Sequence, residues 1–288
     1  MKNSNKLFHT LKNVTLIALL TALAAPIAQA ANTVLTDGNS AATINFGNGS
    51  GLFGMNQWTI NNENQLKQQW FWYGLDSSGQ SPINNIPLAS VTSVGTSFVT
   101  ATYTDPVHLF SIMIDYTLHG GATTGTDYTS DITENIKIVN NGASNLSIRF
   151  YQYSDFNLAN NPGGDSVSIS QSGIFFTKAT QTQGASRVSE TIDIPLADGA
   201  VAGLTTDVPN TLAKLNAPGL YNLNNNLNAG VGDATWALQW NFNIGVGQSQ
   251  DVVKDKRLDI APIPEPSVFG FAALGLFAVI SRRRRSAV

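Results

Sequence analysis

Apolar and polar residues alternate with a period of two through long parts of this chain, which is the signature of half-buried β-strands. Over residues 107–118 one face collects His108, Phe110, Ile112, Ile114, Tyr116 and Leu118, predicting a long strand with that face inward. Residues 235–246 repeat the pattern, with Trp236, Leu238, Trp240, Phe242, Ile244 and Val246 on one side and Gln239, Asn241 and Asn243 toward water. Over residues 131–139, Ile132, Ile136 and Ile138 point inward and Lys137 outward. Residues 146–156 then set Leu146, Ile148 and Phe150 against Arg149, Tyr151 and Tyr153. Further strands are predicted at 93–104, 166–170, 173–179, 187–194 and 250–253, and residues 32–54 read as an edge strand with Gly-, Asn- and Ser-rich loops. Thr104-Asp105-Pro106 and Asn140-Asn141-Gly142 are turn signals, the second suited to a hairpin joining strands 131–139 and 146–156. Residues 209–216 form the one convincing helical fragment, residues 222–228 an Asn-rich loop, and Lys254-Asp255-Lys256-Arg257 leads into a linker at 262–266.

Ten or more strands with almost no helix predict an all-β fold, a large two-sheet antiparallel β-sandwich. The densest aromatic stretch is Trp70-Phe71-Trp72-Tyr73, where alternation puts Trp70 and Trp72 on one face and Phe71 and Tyr73 on the other. With both faces covered this is a central strand; with one open it presents aromatic platforms. Trp236 and Trp240 read as core. No internal repeat of fixed period is visible, which argues against a solenoid or propeller.

The two ends carry different information. Lys2, Lys6 and Lys12, an apolar run over 14–25 and the small-x-small group Ala28-Gln29-Ala30 make a secretory signal peptide with cleavage after Ala30. At the other end come Pro264-Glu265-Pro266, an apolar run over 267–280, and Arg282, Arg283, Arg284 and Arg285. About 14 apolar residues are short for a spanning helix, which needs roughly 20. Flanking arginines and local thinning of the lipid accommodate such a helix, and the arginines favour the cytoplasmic side. The chain therefore divides into residues 1–30, an exported domain at 31–261 and a tail at 262–288.

This tripartite tail resembles the PEP-CTERM sorting signal. The resemblance implies export, transient retention in the inner membrane of a Gram-negative-type bacterium through the short transmembrane helix, and processing near Pro264-Glu265-Pro266 by an exosortase. Residues 129–158 look like a strand pair of exported PEP-CTERM proteins of unassigned activity. The overall strand pattern is similar to the supersandwich of galactose mutarotase-like proteins, a likeness of fold that carries little about function.

Removing both ends changes the charge. Of 16 basic residues, three lie in the leader and four in the tail, whereas of 19 acidic residues only Glu265 does, so the exported part carries nine basic and eighteen acidic groups. So acidic a surface argues against nucleic acid as a partner. The chain has no cysteine, which removes disulfides, a cysteine nucleophile and thiolate metal sites.

Candidate chemistry is sparse. Glycoside hydrolysis needs two carboxylates across a cleft, and Glu134 and Asp155 are the best placed, on what the turn signal makes hairpin partners; acids facing outward to keep a sheet soluble give the same spacing. Of the two histidines beyond the leader, His108 falls on an apolar face and His119 stands more exposed at a strand end before Gly120-Gly121. No Gly-x-Ser-x-Gly elbow occurs. Asp37-Gly38-Asn39 and Gly163-Gly164-Asp165 lack the ligand spacing of a calcium loop, and neither metal nor cofactor is implied. Trp70, Trp72 and Tyr73, flanked by Gln68 and Gln69, have the residue types that stack on sugar rings and read hydroxyls, though rings also dominate cores. The expectation is an exported cell-surface or exopolysaccharide-matrix protein, delivered by Sec-type machinery, structural or glycan-interacting. The alternative is a carbohydrate-active enzyme, mutarotase-like or glycosidase-like, on the same sandwich.

Overall fold

The computed structural model describes residues 32–47, 52–76, 78–122 and 127–261. The first half of this span holds β1 (Asn32–Asp37), β2 (Ser40–Asn45), β3 (Gly54–Ile60), β4 (Glu63–Asn64), β5 (Leu66–Leu75), β6 (Gln80–Pro82), β7 (Leu88–Val94), β8 (Phe98–Asp105) and β9 (Phe110–Gly120). The second half holds β10 (Thr129–Asn140), β11 (Leu146–Phe156), β12 (Asp165–Ser172), β13 (Phe175–Gln183), β14 (Ser186–Ile194), β15 (Gly199–Leu204), helix α1 (Thr211–Asn216), β16 (Asn228–Gly232), β17 (Ala234–Ile244) and β18 (Ser249–Asp259).

These strands form two antiparallel sheets of nine strands each. The first runs β1-β2-β3-β5-β11-β17-β15, with β4 beside β3 and β6 beside β5; the second runs β16-β12-β13-β14-β18-β10-β9-β8-β7. The predicted two-sheet all-β sandwich is the fold observed. Its interior follows from the period-two patterns: Ile112, Ile114, Tyr116 and Leu118 of β9 and Trp236, Leu238 and Trp240 of β17 are all fully buried. Aromatic pairs bind the layers, Trp70 of β5 meeting Tyr103 of β8 at 6.3 Å between centroids and Tyr73 meeting Phe110 of β9 at 5.6 Å. Within the first sheet Phe71 stacks on Phe150 with centroids 5.3 Å apart, and Phe156 stacks on Trp236 at 5.3 Å. Truncating such a buried ring to alanine costs about 3–5 kcal/mol.

Several local expectations change. Strands β10 and β11 are not hairpin partners: β10 pairs with β9 and β18, and β11 with β5 and β17, in opposite sheets. Asn140 directs the crossing. Its side-chain amide donates to the carbonyls of Ser144, Ile244 and Gly245 at 2.8, 2.9 and 3.2 Å, and its Oδ1 accepts the Gly142 N–H at 2.9 Å. The turn is thereby tied to the end of β17 in the first sheet instead of folding the chain back on β10. Residues 93–104 are split by Gly95, at φ 64°, into the end of β7 and most of β8. The last strand, expected at 250–253, runs on through Lys254-Asp255-Lys256-Arg257 as β18, with both lysines inside the sandwich.

The helical fragment is α1, where Asn210 caps the first turn by accepting the Ala213 N–H at 2.8 Å. It belongs to the long connection between β15 and β16, which covers the outer face of the first sheet. There Tyr151 donates its hydroxyl to the Tyr221 carbonyl at 2.7 Å. Gln239, expected to face water, lies 3 % exposed under this cover, accepting the Leu223 N–H at 2.9 Å. The physical reason is that a polar side chain on an outer face meets water only where no connection crosses it.

Candidate functional site

The turn after β8, the strands β5 and β6, the crossing from β10 to β11 and the chain near Pro218 enclose an open cleft of about 840 Å³. Tyr73 lines it from β5, Gln80 and Ser81 from β6, Ser144 and Asn145 from the crossing and Ser147 from the start of β11. Gln80 is buried and its Oε1 accepts the Tyr221 N–H at 2.9 Å, while its Nε2 has no protein partner. That nitrogen has essentially no accessible surface, so it is an unmet cost of burial and not a donor offered to the cleft. Arg149 fixes the rim: it donates to the carbonyls of Asp76 and, at 2.7 Å, Ser78.

His108 also reaches this cleft. It is displaced from the apolar face of β9 into the preceding turn, because β9 begins at Phe110 and Leu109 takes a positive φ of 56°. Its Nδ1 lies 2.8 Å from Asp105 Oδ2, and Asp105 Oδ1 accepts the backbone N–H groups of Val107 and His108 at 2.8 and 2.9 Å. Burial works to raise the Asp105 carboxyl, yet the hydrogen bonds from His108 and Val107 outweigh it and hold the group below its usual range. Burial, with the Asp105 charge adding, raises the Tyr73 hydroxyl. The cleft thus combines a half-buried phenol ring, exposed polar side chains and an oriented imidazole.

The other residues singled out by the sequence are spread over the fold. Trp70 and Trp72 are 1 % and 2 % exposed, so neither offers an open ring face. Their indole N–H groups are spent on Asn84 Oδ1 at 2.9 Å and Asn216 Oδ1 at 3.0 Å. The covered alternative therefore describes β5, and of the three only Tyr73 opens on the cleft. His119 is exposed on β9 opposite Asp131 and lies away from the cleft.

Asp155, 3 % exposed near the end of β11, has Lys67 Nζ at 3.2 Å from its Oδ2 and Tyr153 donating at 3.3 Å. Lys67 Nζ is also 3.6 Å from Asp233 Oδ2. Burial raises the Asp155 carboxyl; Lys67 opposes this and Asp233 reinforces it. Glu134 is elsewhere altogether, with no exposed surface, between the two lysines of β18. Glu134 and Asp155 stand on different sheets and do not face each other across an open cleft, so the arrangement that glycoside hydrolysis requires of them is not present.

Among the described residues no group of three His, Asp or Glu side chains is placed to hold a metal ion, and no helix is long and apolar enough to cross a membrane. The signal-peptide residues Ala28 and Ala30, the tripeptide Pro264, Glu265 and Pro266, the apolar run and Arg282 to Arg285 lie outside the described residues.

Comparison of the sequence with family models decides the meaning of the tail. Residues 262–285 carry a PEP-CTERM protein-sorting motif. The motif implies an exported protein, taken through the membrane to the cell surface, and processing by an exosortase. No curated protein matches the chain. Solved structures with the same fold include a putative aldose 1-epimerase from Escherichia coli K12, at TM-score 0.51 and 8 % identity over 81 % of this chain and 99 % of that one. A galactose mutarotase related enzyme from Lactobacillus acidophilus aligns at TM-score 0.52 and 8 % identity, again over 81 % and 99 %. A bacterial glucoamylase complexed with acarbose aligns at TM-score 0.55 and 9 % identity over 80 % of this chain, which spans only 32 % of that enzyme. At such identities the likeness is one of fold, and the sandwich is mutarotase-like.

Proposed function

We propose that this is a secreted component of the cell envelope or exopolysaccharide matrix whose sandwich binds glycan in the cleft beside Tyr73. Sec-type export from the N-terminal leader and transient anchoring by the C-terminal apolar run precede release. The observation that carries the reading is the cleft itself, where Tyr73 supplies a ring and the exposed side chains of Ser144, Asn145 and Ser147 line the same cavity. Sugar hydroxyls pair with such polar groups, and apolar sugar faces suit the ring. Titration of the purified protein with its own producer's exopolysaccharide and with defined oligosaccharides tests this. Tyr73→Ala is expected to weaken binding about tenfold or more, the worth of one lost ring contact, while Trp70→Phe, buried away from the cleft, leaves affinity unchanged. Equal binding by wild type and Tyr73→Ala would overturn the site.

The Asp105 and His108 pair on the same cleft favours a second reading, a carbohydrate-active enzyme. An imidazole held by a carboxylate is oriented for proton transfer. Turnover of a sugar by the wild type, abolished in His108→Gln with binding retained, selects this reading; binding without turnover selects the first.

A further inference from the structure

Four charged side chains inside the sandwich take no part in the cleft. The strand register makes them a square: Glu134 stands opposite Lys254 across β10 and β18, and Glu190 opposite Lys256 across β14 and β18. None has any exposed side-chain surface. Lys254 Nζ contacts Glu134 Oε2 and lies 3.4 Å from Glu190 Oε1. Lys256 Nζ lies 2.8 Å from Glu134 Oε1 and 3.3 Å from Glu190 Oε1. The opposite sheet completes the enclosure. Gln152 Nε2 and Trp236 Nε1 donate to Glu190 Oε2 at 2.6 and 3.1 Å, and the Phe71 ring centre is 5.0 Å from Lys254 Nζ.

Two ion pairs in so dry a place are poorly explained by stability alone, because desolvation offsets most of their attraction. What the place does favour is condensation. We propose that Lys254 and Glu134 join in an intramolecular isopeptide bond, with Glu190 moving the proton and Lys256 holding the oxygen that stays.

The chemistry balances within the square. Transfer of one proton from the Lys254 ammonium to the Glu134 carboxylate leaves a neutral amine beside a neutral carboxylic acid. Burial first, and the Lys256 charge second, push the Lys254 ammonium well below its usual pKa, which favours that state. The amine nitrogen attacks Glu134 Cδ. Lys256, at 2.8 Å from Oε1, stabilises the charge that develops on that oxygen. Glu190 Oε1 takes a proton from the nitrogen and delivers it to Oε2, which departs as water. The nitrogen keeps one hydrogen, Oε1 becomes the amide carbonyl oxygen, and neither oxidant nor co-reactant is needed.

The product replaces one buried ion pair by a neutral amide and leaves Glu190 paired with Lys256. It also ties β10 to β18, the last strand before the sorting motif at residues 262–285. In an exported chain without cysteine, this is a covalent cross-link that the composition still allows.

The test is mass-spectrometric peptide mapping of the full chain after denaturation and digestion. The expected result is a branched peptide in which the Glu134 segment is joined to the Lys254 segment, lighter by one water than the two together and present in nearly every molecule. Glu190→Gln, which keeps the size and the Gln152 and Trp236 contacts, is expected to yield the two segments unjoined, with the β-rich circular dichroism spectrum retained. Separate segments with unmodified Lys254 in the wild type overturn the bond, and that result does not depend on any variant folding. A joined peptide in Glu190→Gln overturns the proton-transfer role.

Discussion

Asp165, at the start of β12, should contribute more to stability in acid than at neutral pH. It has no exposed surface, and its Oδ2 has no partner. Burial pushes its carboxyl up from 3.8 to about 7; a hydrogen bond from Gln181 opposes the shift, and the charges of Asp233 and Asp155 add to it. The sign follows from linkage. Below 3.8 the group is protonated in both states and its contribution is fully present. As the pH rises, the unfolded chain ionises first while the folded protein still holds its proton, so stability falls until the folded group also ionises near 7. At about 1.4 kcal/mol per unit, the window from 3.8 to about 7 amounts to no more than about 4 kcal/mol. Asp165→Asn preserves shape and removes the titration. Urea unfolding followed by tryptophan fluorescence at a series of pH values should show the variant matching wild type near pH 3.5. Above pH 7 it should exceed wild type by up to that amount. A difference between variant and wild type that stays constant with pH, or that grows toward acid, would refute the account.

Two further outcomes follow from buried geometry. Lys256→Met leaves Glu190 without the cation opposite it and should cost about 3–5 kcal/mol in chemical denaturation; a variant within about 1 kcal/mol of wild type would be inconsistent with the square. Gly54, at φ 84°, begins β3, where a Cβ would come within 2.3 Å of the Gln69 carbonyl oxygen and 2.4 Å of the Trp70 ring. Gly54→Ala should therefore lose more than about 2 kcal/mol in the same assay, and a neutral result would mean that β3 and β5 have room to separate.

What could be read from the sequence was whatever depends on a residue's neighbours at even spacing. Phe110 to Leu118 and Trp236 to Ile244 announce their inward faces because water and core alternate along a single strand. The division of strands between sheets was hidden, because Asn140-Asn141-Gly142 has hairpin chemistry while the Asn140 amide spends its donors on residues about a hundred positions away. The covering of Trp72 was hidden for the same reason: its partner Asn216 is 144 positions distant. The motif at the tail was legible as a contiguous word, and residues 262–285 match it.

The interior square is the instructive intermediate case. Glu134 falls in phase with Ile132 and Ile136, Glu190 with Val188 and Ile192, and Lys254 and Lys256 with Val252 and Leu258, so every one of the four interrupts an apolar face. Taken singly, each looks like an acid on a soluble face or a basic run before a linker. Taken together, two acids and two lysines in phase on three strands are what a paired interior requires, since an unpaired charge there would be expelled or neutralised. Parity therefore carried the signal, and only the pairing of β18 with both β10 and β14, a fact of topology, turns it into a site.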